Sequence, residues 1–178
     1  MHWNIDPTHS RIELSVKHMA ITTVRGHFRS FTFGADTDHA GNLTAISASI
    51  DASSIDTNSE QRDAHLRSAD FLDAANHPAI TFTSTRIEQK SSDEYQVHGD
   101  LTIRGVSKPV SFTMSRSGAV RDPWGNLRAG AEASGTLSRK DWGLNWNQAL
   151  ELGGVLVSDQ VRFTIEVEAV AEKAHAAA

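Results

Sequence analysis

The residues of this chain that could do chemistry are nine histidines and a few closely spaced acids. The histidines are His2, His9, His18, His27, His39, His65, His77, His98 and His175. Imidazole suits zinc ligation or proton transfer near neutral pH. His9 and His18 fall in one strand region, but no set shows a recognised ligand spacing on a single element. Scattered caps and surface positions account for them, so no metal is expected. Asp63 precedes His65 by two residues, and Asp70 precedes Asp73 by three. These pairs could do acid–base work, though acids on a helix surface are usually just solvated. A Ser-His-Asp triad assembles in space and leaves no required spacing, yet no serine sits in a G-x-S-x-G elbow. Gly153-Gly154 marks a turn, not a phosphate cradle. With no cysteine, thiolate zinc sites, thiol nucleophiles and disulfides are excluded.

The elements that must position these groups are strands. Ile12, Leu14 and Val16 alternate with polar residues, as do Ile46, Ala48 and Ile50. Val97, Leu101 and Ile103 share one parity, Val110, Phe112 and Met114 another, and Val161, Phe163, Ile165 and Val167 a third run. One apolar and one polar face per run is the mark of half-buried antiparallel strands. Turn residues separate the runs at Ala40-Gly41-Asn42, Ser91-Ser92-Asp93, Asp122-Pro123-Trp124-Gly125 and Gly153-Gly154. About eight strands are expected, among them Val24–Phe33, Ile80–Ile87 and Leu127–Leu137, in a sandwich or an up-and-down barrel. The segment 58–75 favours a broken helix, capped by Ser59, with Arg62, Leu66 and Phe71 spaced for short turns.

Charged residues make up 22% of the chain and hydrophobic ones 39%, an ordinary globular balance in a single domain over 1–170 with a frayed tail over 171–178. A net charge of -5 argues against nucleic acid or an anionic membrane surface as partner. The N-terminus has neither a basic region nor an apolar core, and no stretch has transmembrane length, so a cytoplasmic protein is expected.

The run from Leu127 to Leu137 lacks bulk. Its apolar parity reads Leu127, Ala129, Ala131, Ala133, Gly135, Leu137. A barrel of about eight strands is just wide enough to be filled by side chains or to hold one small ligand. A methyl-lined strand leaves part of the bore empty unless a facing residue fills it, with Phe28, Phe31, Phe82, Phe112, Trp142 and Trp146 as candidates. Both readings stay open on this feature. The segment Arg139–Asn147 (RKDWGLNWN) alternates Trp142, Leu144 and Trp146 and reads as a strand or as a loop over the barrel mouth.

Seven segments in order then resemble the YceI-like family of lipid- or polyisoprenoid-binding proteins: Trp3–Ser10, Val16–Met19 with Thr23–Phe28, Ile50–Thr57, Arg62–Asp73, Pro78–Thr85, Gly99–Pro109 and Gly135–Asn147. Trp142 stands where that family often has phenylalanine. The resemblance implies an all-β, lipocalin-like, extended eight-stranded antiparallel β-barrel with a short helical insertion. It implies a bound isoprenoid lipid, quinone or fatty-acid-like amphiphile in the pore, often a homodimer, and no catalytic residues or required cofactor; some relatives are exported. The residues expected on the pore are Leu14, Val16, His18, Phe28, Phe31 and Ile50 in the first half. Phe71, Phe82, Leu101, Ile103 and Phe112 follow, then Ala131, Ala133, Trp142, Leu144, Trp146 and Phe163.

Three functions compete. A lipid carrier or store is the first. The second is an enzyme on such a lipid, using His18, His65 or Asp63. The third is a structural or stress-response partner that binds no lipid. Buried methylenes contribute about 0.8 kcal/mol each against an association cost of ~4–15 kcal/mol, which favours a chain of about fifteen carbons or more over a short one.

Overall fold

The computed structural model describes residues 1–172. The alternating runs form strands β1 (His2–Ile5), β2 (Arg11–His18), β3 (Thr22–Phe28), β4 (Phe31–Thr37), β5 (Leu43–Asp51) and β6 (Ile55–Asp56). Helix α1 (Glu60–Arg67) follows, then β7 (Ala79–Gln89), β8 (Glu94–Ile103), β9 (Val106–Arg116), β10 (Val120–Arg121), β11 (Leu127–Ser138) and β12 (Gln160–Ala171). Every pairing is antiparallel.

The sheet closes on itself as an 8-strand barrel. β1 and β2 are successive halves of one stave: β1 lies against the end of β12 (Trp3 opposite Ala171) and β2 against its start (Leu14 opposite Phe163). β3 and β4 likewise share the next stave, pairing with β2 and β1. The chain then meanders through β5, β7, β8, β9 and β11, and the pairing of β11 with β12 shuts the ring. Closure leaves no long edge exposed for pairing with other chains.

Two expectations are corrected. The strand expected over Val24–Phe33 is interrupted at Arg29–Ser30. There the Arg29 amide donates to Ser54 O, the Ser30 amide to Ser54 Oγ, and the Asp51 amide to Ser30 O. Arg29 turns outward, its Nε donating to Asp56 at 2.8 Å. The polar pair thus bonds the Ala52–Ser54 turn instead of continuing the ladder. At the other end, Ala171 is not frayed: it closes β12 opposite Trp3, and the Glu172 amide donates to His2 O. The rest of the expected tail, 173–178, lies outside the described residues.

The helical insertion is shorter than 58–75. Ser59 caps α1 with its hydroxyl, and the buried Asp63 accepts the Thr57 amide at 2.9 Å and its hydroxyl at 2.5 Å. After Arg67 the chain runs in turns, with Asp73 at positive φ, until Pro78 leads into β7. This unit packs Leu66, Leu72 and Ala74 against Ile12, Phe28, Ile55 and Ile80, and it defines the upper end of the barrel. The lower end is packed around Trp3, Ala35, Val167 and Ala169.

An ionic clasp ties the lower half together on the outside. Arg128 of β11 donates to Asp122 from Nε and to Asp6 from Nη1, each at 2.8 Å, and also to Glu168. The Arg128 bond holds Asp122 well below the ordinary carboxylate range, and the Thr8 hydroxyl, Arg128 and His9 do the same for Asp6. The three carboxylates in turn raise the Arg128 guanidinium. Asp6, His9 and Glu168 offer ligand atoms within 4.8 Å of one another. Arg128 already supplies that cluster with a cation, so it reads as a clasp and not as a metal centre.

Candidate functional site

The upper bore encloses a cavity of about 460 Å³. Its wall follows from strand parity. Unbroken alternation directs Leu14, Val16 and His18 inward from β2, Leu101 and Ile103 from β8, and Ala131 and Ala133 from β11. Ile50, Phe82, Phe112 and Phe163 enter from β5, β7, β9 and β12.

Phe28 and Phe31 both line the cavity although three residues apart. A continuous strand would send them to opposite faces, because the side-chain period is two. The interruption at Arg29–Ser30 resets the phase. A second reset lies in β7, where the register shifts between Ser84 and Arg86 and the Ser84 hydroxyl takes the Ile46 amide at 2.9 Å. Ile80 and Phe82 line the cavity before that bulge, and Ile87, of opposite parity, packs in the core after it.

Around the wall, on the neighbouring strands β7, β8, β9, β11 and β12, three rings alternate with two glycines. Phe82 and Phe112 lie 5.5 Å apart between centroids, and Phe112 and Phe163 6.1 Å apart, edge to face. A Cβ on Gly99 would come within 2.5 Å of the Phe82 ring and of Thr83 O. One on Gly135 would come within 2.7 Å of the Phe163 ring. At Gly135, then, an aromatic from the neighbouring strand fills the gap that the missing side chain leaves. The emptiness expected along β11 survives at its alanines, not at its glycine.

The mouth is roofed by Phe71 from the turns after α1 and by Trp142, Leu144 and Trp146. Residues 139–147 are not a strand: Arg139–Trp142 is a short 3-10 turn, and a loop follows. Trp142 is buried and donates its indole N–H to Leu101 O at 3.0 Å. His65 stands edge-on to Trp146 at 4.6 Å and to Phe71 at 5.0 Å, with its Nε2 2.8 Å from Asp70 Oδ2. Every residue that the sequence placed on the pore thus lines this cavity.

Several were missed. Leu66 and Leu72 come from the insertion, whose short helix shows no sustained apolar period. Leu156 and Val157 come from the loop before β12. Arg139 is the largest omission. Only 6% exposed, it donates from Nη1 to Leu144 O at 2.6 Å and Trp146 O at 2.8 Å, and from Nε to Ser158 O at 3.1 Å. It braces the roof loop onto the start of β12, and burial lowers its pKa. An arginine inside an aromatic run was the available signal, since a buried guanidinium must satisfy several carbonyls at once.

The polar side chains at the rim include His18, Arg62 and His65. Arg62 is engaged by Thr57, donating from Nε to its hydroxyl and from Nη2 to its carbonyl, both at 2.8 Å. Asp63 spends its carboxylate on Thr57, and His65 is paired with Asp70 and not with Asp63. The enzyme reading therefore loses Asp63 as a partner for His65. The rest of the cavity wall is predominantly aliphatic and aromatic, so the site can sequester apolar matter.

The profile of the YceI-like domain matches residues 3–169. The chain is 40% identical over 167 residues to a UPF0312 protein of Pectobacterium atrosepticum, covering 93% of this chain and 83% of that one. Among solved structures it is similar to the Campylobacter jejuni YCEI protein, with TM-score 0.77 and 29% identity over 88% of this chain and 90% of the other. A polyisoprenoid binding domain from Saccharophagus degradans shares the fold at TM-score 0.70 and 15% identity, over 96% and 98% of the two chains.

Proposed function

The chain belongs to the YceI-like domain family, and from that premise we propose that it carries or stores a long-chain apolar lipid: an isoprenoid, an isoprenoid quinone or a fatty-acid-like amphiphile. The tail lies in the upper cavity, and the head group sits at the rim near His18, Arg62 and His65. The observation that carries this reading is a cavity of about 460 Å³ walled chiefly by strand-borne aliphatic and aromatic side chains. The name of the Saccharophagus degradans domain, which refers to polyisoprenoid binding, supports the same ligand class.

The energetics set the length. If a methylene takes roughly the ~30 Å³ of a water molecule in the liquid, the cavity holds about fifteen. At about 0.8 kcal/mol each these contribute ~12 kcal/mol, against an association cost of ~4–15 kcal/mol. Six carbons would contribute only ~5 kcal/mol and barely offset the lower bound. Apolar contacts are not directional, so a tail can slide in the bore and stay bound.

Native mass spectrometry tests the proposal. The protein purified from its producing cell should carry a lipid mass that organic extraction removes and added polyprenyl lipid restores. Bare protein before extraction, with no uptake afterwards, rejects it. A homodimer is part of the same reading, and a single-chain mass by light scattering at micromolar concentration removes that part alone.

A further inference from the structure

The lower end of the bore holds a second compartment, of about 270 Å³, that the proposed function does not use. Its inner wall includes Trp3, Ala35, Leu43, Ala129 and Ala169. Ala129 and Ala169 face each other across the β11–β12 pairing, so two methyl groups stand where larger side chains would close the space. The outer rim is polar and tied together. Arg116 donates to Gly41 O at 3.0 Å, and the terminal ammonium of Met1 donates to Thr37 O at 2.7 Å. Asp38 accepts the amides of Ala40 and Asn42, each at 2.9 Å.

The two compartments are separated by one layer of side chains. Phe33, Ile46, Met114, Ala131 and Val167 line both cavities. The layer contains no charge and no hydrogen-bonding side chain, so it opposes an apolar chain by bulk alone. Met114 is its movable member. It is buried, it lies opposite Ala133, and its unbranched thioether adopts alternative rotamers easily. By the same packing estimate, at ~30 Å³ per methylene, the lower compartment takes about nine carbons beyond the upper one's fifteen.

We propose that the compartments form one length-graded binding site. A tail longer than about fifteen carbons displaces Met114 and places its far end among Trp3, Ala129 and Ala169. The inference rests on the lipid reading above and adds to it a preference for long chains.

The test compares palmitoleate and nervonate, a shorter and a longer monounsaturated fatty acid, by titration calorimetry below their micellar concentrations. The wild-type protein should bind nervonate at least about tenfold tighter than palmitoleate. Ala129 does not line the upper compartment, and Ala129→Trp adds about nine non-hydrogen atoms, which by the same estimate fill the lower one. It should abolish that advantage and leave palmitoleate within about twofold of wild type. Ala169→Trp gives the same readout should the first variant fail to fold, and Met114→Ala should widen the advantage of nervonate over palmitoleate. Equal affinities for the two acids in the wild type, or a nervonate advantage that survives filling of the lower compartment, overturns the proposal. So do two palmitoleates per chain by native mass spectrometry, one in each compartment. A wild-type protein that binds neither acid nor any polyprenyl lipid fails at the earlier step and takes the lipid reading down with it.

Discussion

The upper and lower halves of the bore are hollow for different reasons. In the upper half the strands carry large side chains, among them Phe82, Phe112 and Phe163, and the space exists because those rings line the wall instead of meeting at the centre. In the lower half the space exists because Ala35, Ala129 and Ala169 withhold bulk around Trp3. The ends also differ in how they are fastened. Arg139 braces the upper roof mainly through backbone carbonyls, with one longer contact to Asp159, whereas Arg128 clasps the lower half through carboxylates. Empty volume in a barrel therefore cannot be read from small residues alone, since one hollow is built from large ones.

The sharpest way to break this comparison is through its two buried tryptophans. Trp3→Ala and Trp142→Ala should each cost about 3–5 kcal/mol in urea unfolding, the usual range for truncating a buried tryptophan. Only Trp142→Ala should weaken palmitoleate binding, because Trp142 lines the upper cavity and Trp3 the lower. Equal losses of binding in the two variants would erase the distinction between the halves.

The glycines sharpen it further. Gly99→Ala would drive a methyl into both the Phe82 ring and the Thr83 carbonyl, and backbone cannot move aside. It should cost about 1–3 kcal/mol by denaturant unfolding. Gly135→Ala meets the Phe163 ring first, and that ring can swing into the hollow beside it, so its cost should fall at or under the lower end of that range. The reverse order would mean that the upper cavity has no room to absorb the ring.

The smallest effect separates the fastenings. Asp6 and Asp122 titrate below their unfolded value of 3.8, so their stabilisation is present in full above that pH and is lost as pH falls through their folded values. Arg128→Met should lower Tm near neutral pH, and the gap from wild type should narrow progressively in acid. The gap produced by Arg139→Met should narrow less over the same range, since three of its four acceptors are carbonyls and only Asp159, at 3.4 Å, titrates. Parallel pH profiles for the two variants, followed by circular dichroism, would refute the contrast.

The amino-acid sequence determined most of the strands and their inward faces wherever alternation runs unbroken; it left the Trp142–Trp146 run open between a strand and a loop over the mouth. Parity is a local property of an extended chain, so β11 and β12 could be read residue by residue. Tertiary structure alone decided the phase resets at Arg29–Ser30 and at Ser84/Arg86, which put residues of both parities on the bore. It also decided that Phe163 fills the space at Gly135 while Ala129 and Ala169 leave theirs open, and that Arg139 holds the roof. Those outcomes depend on which side chains from distant strands share a volume or a set of carbonyls. That is a non-local fact, and neither spacing nor composition carries it.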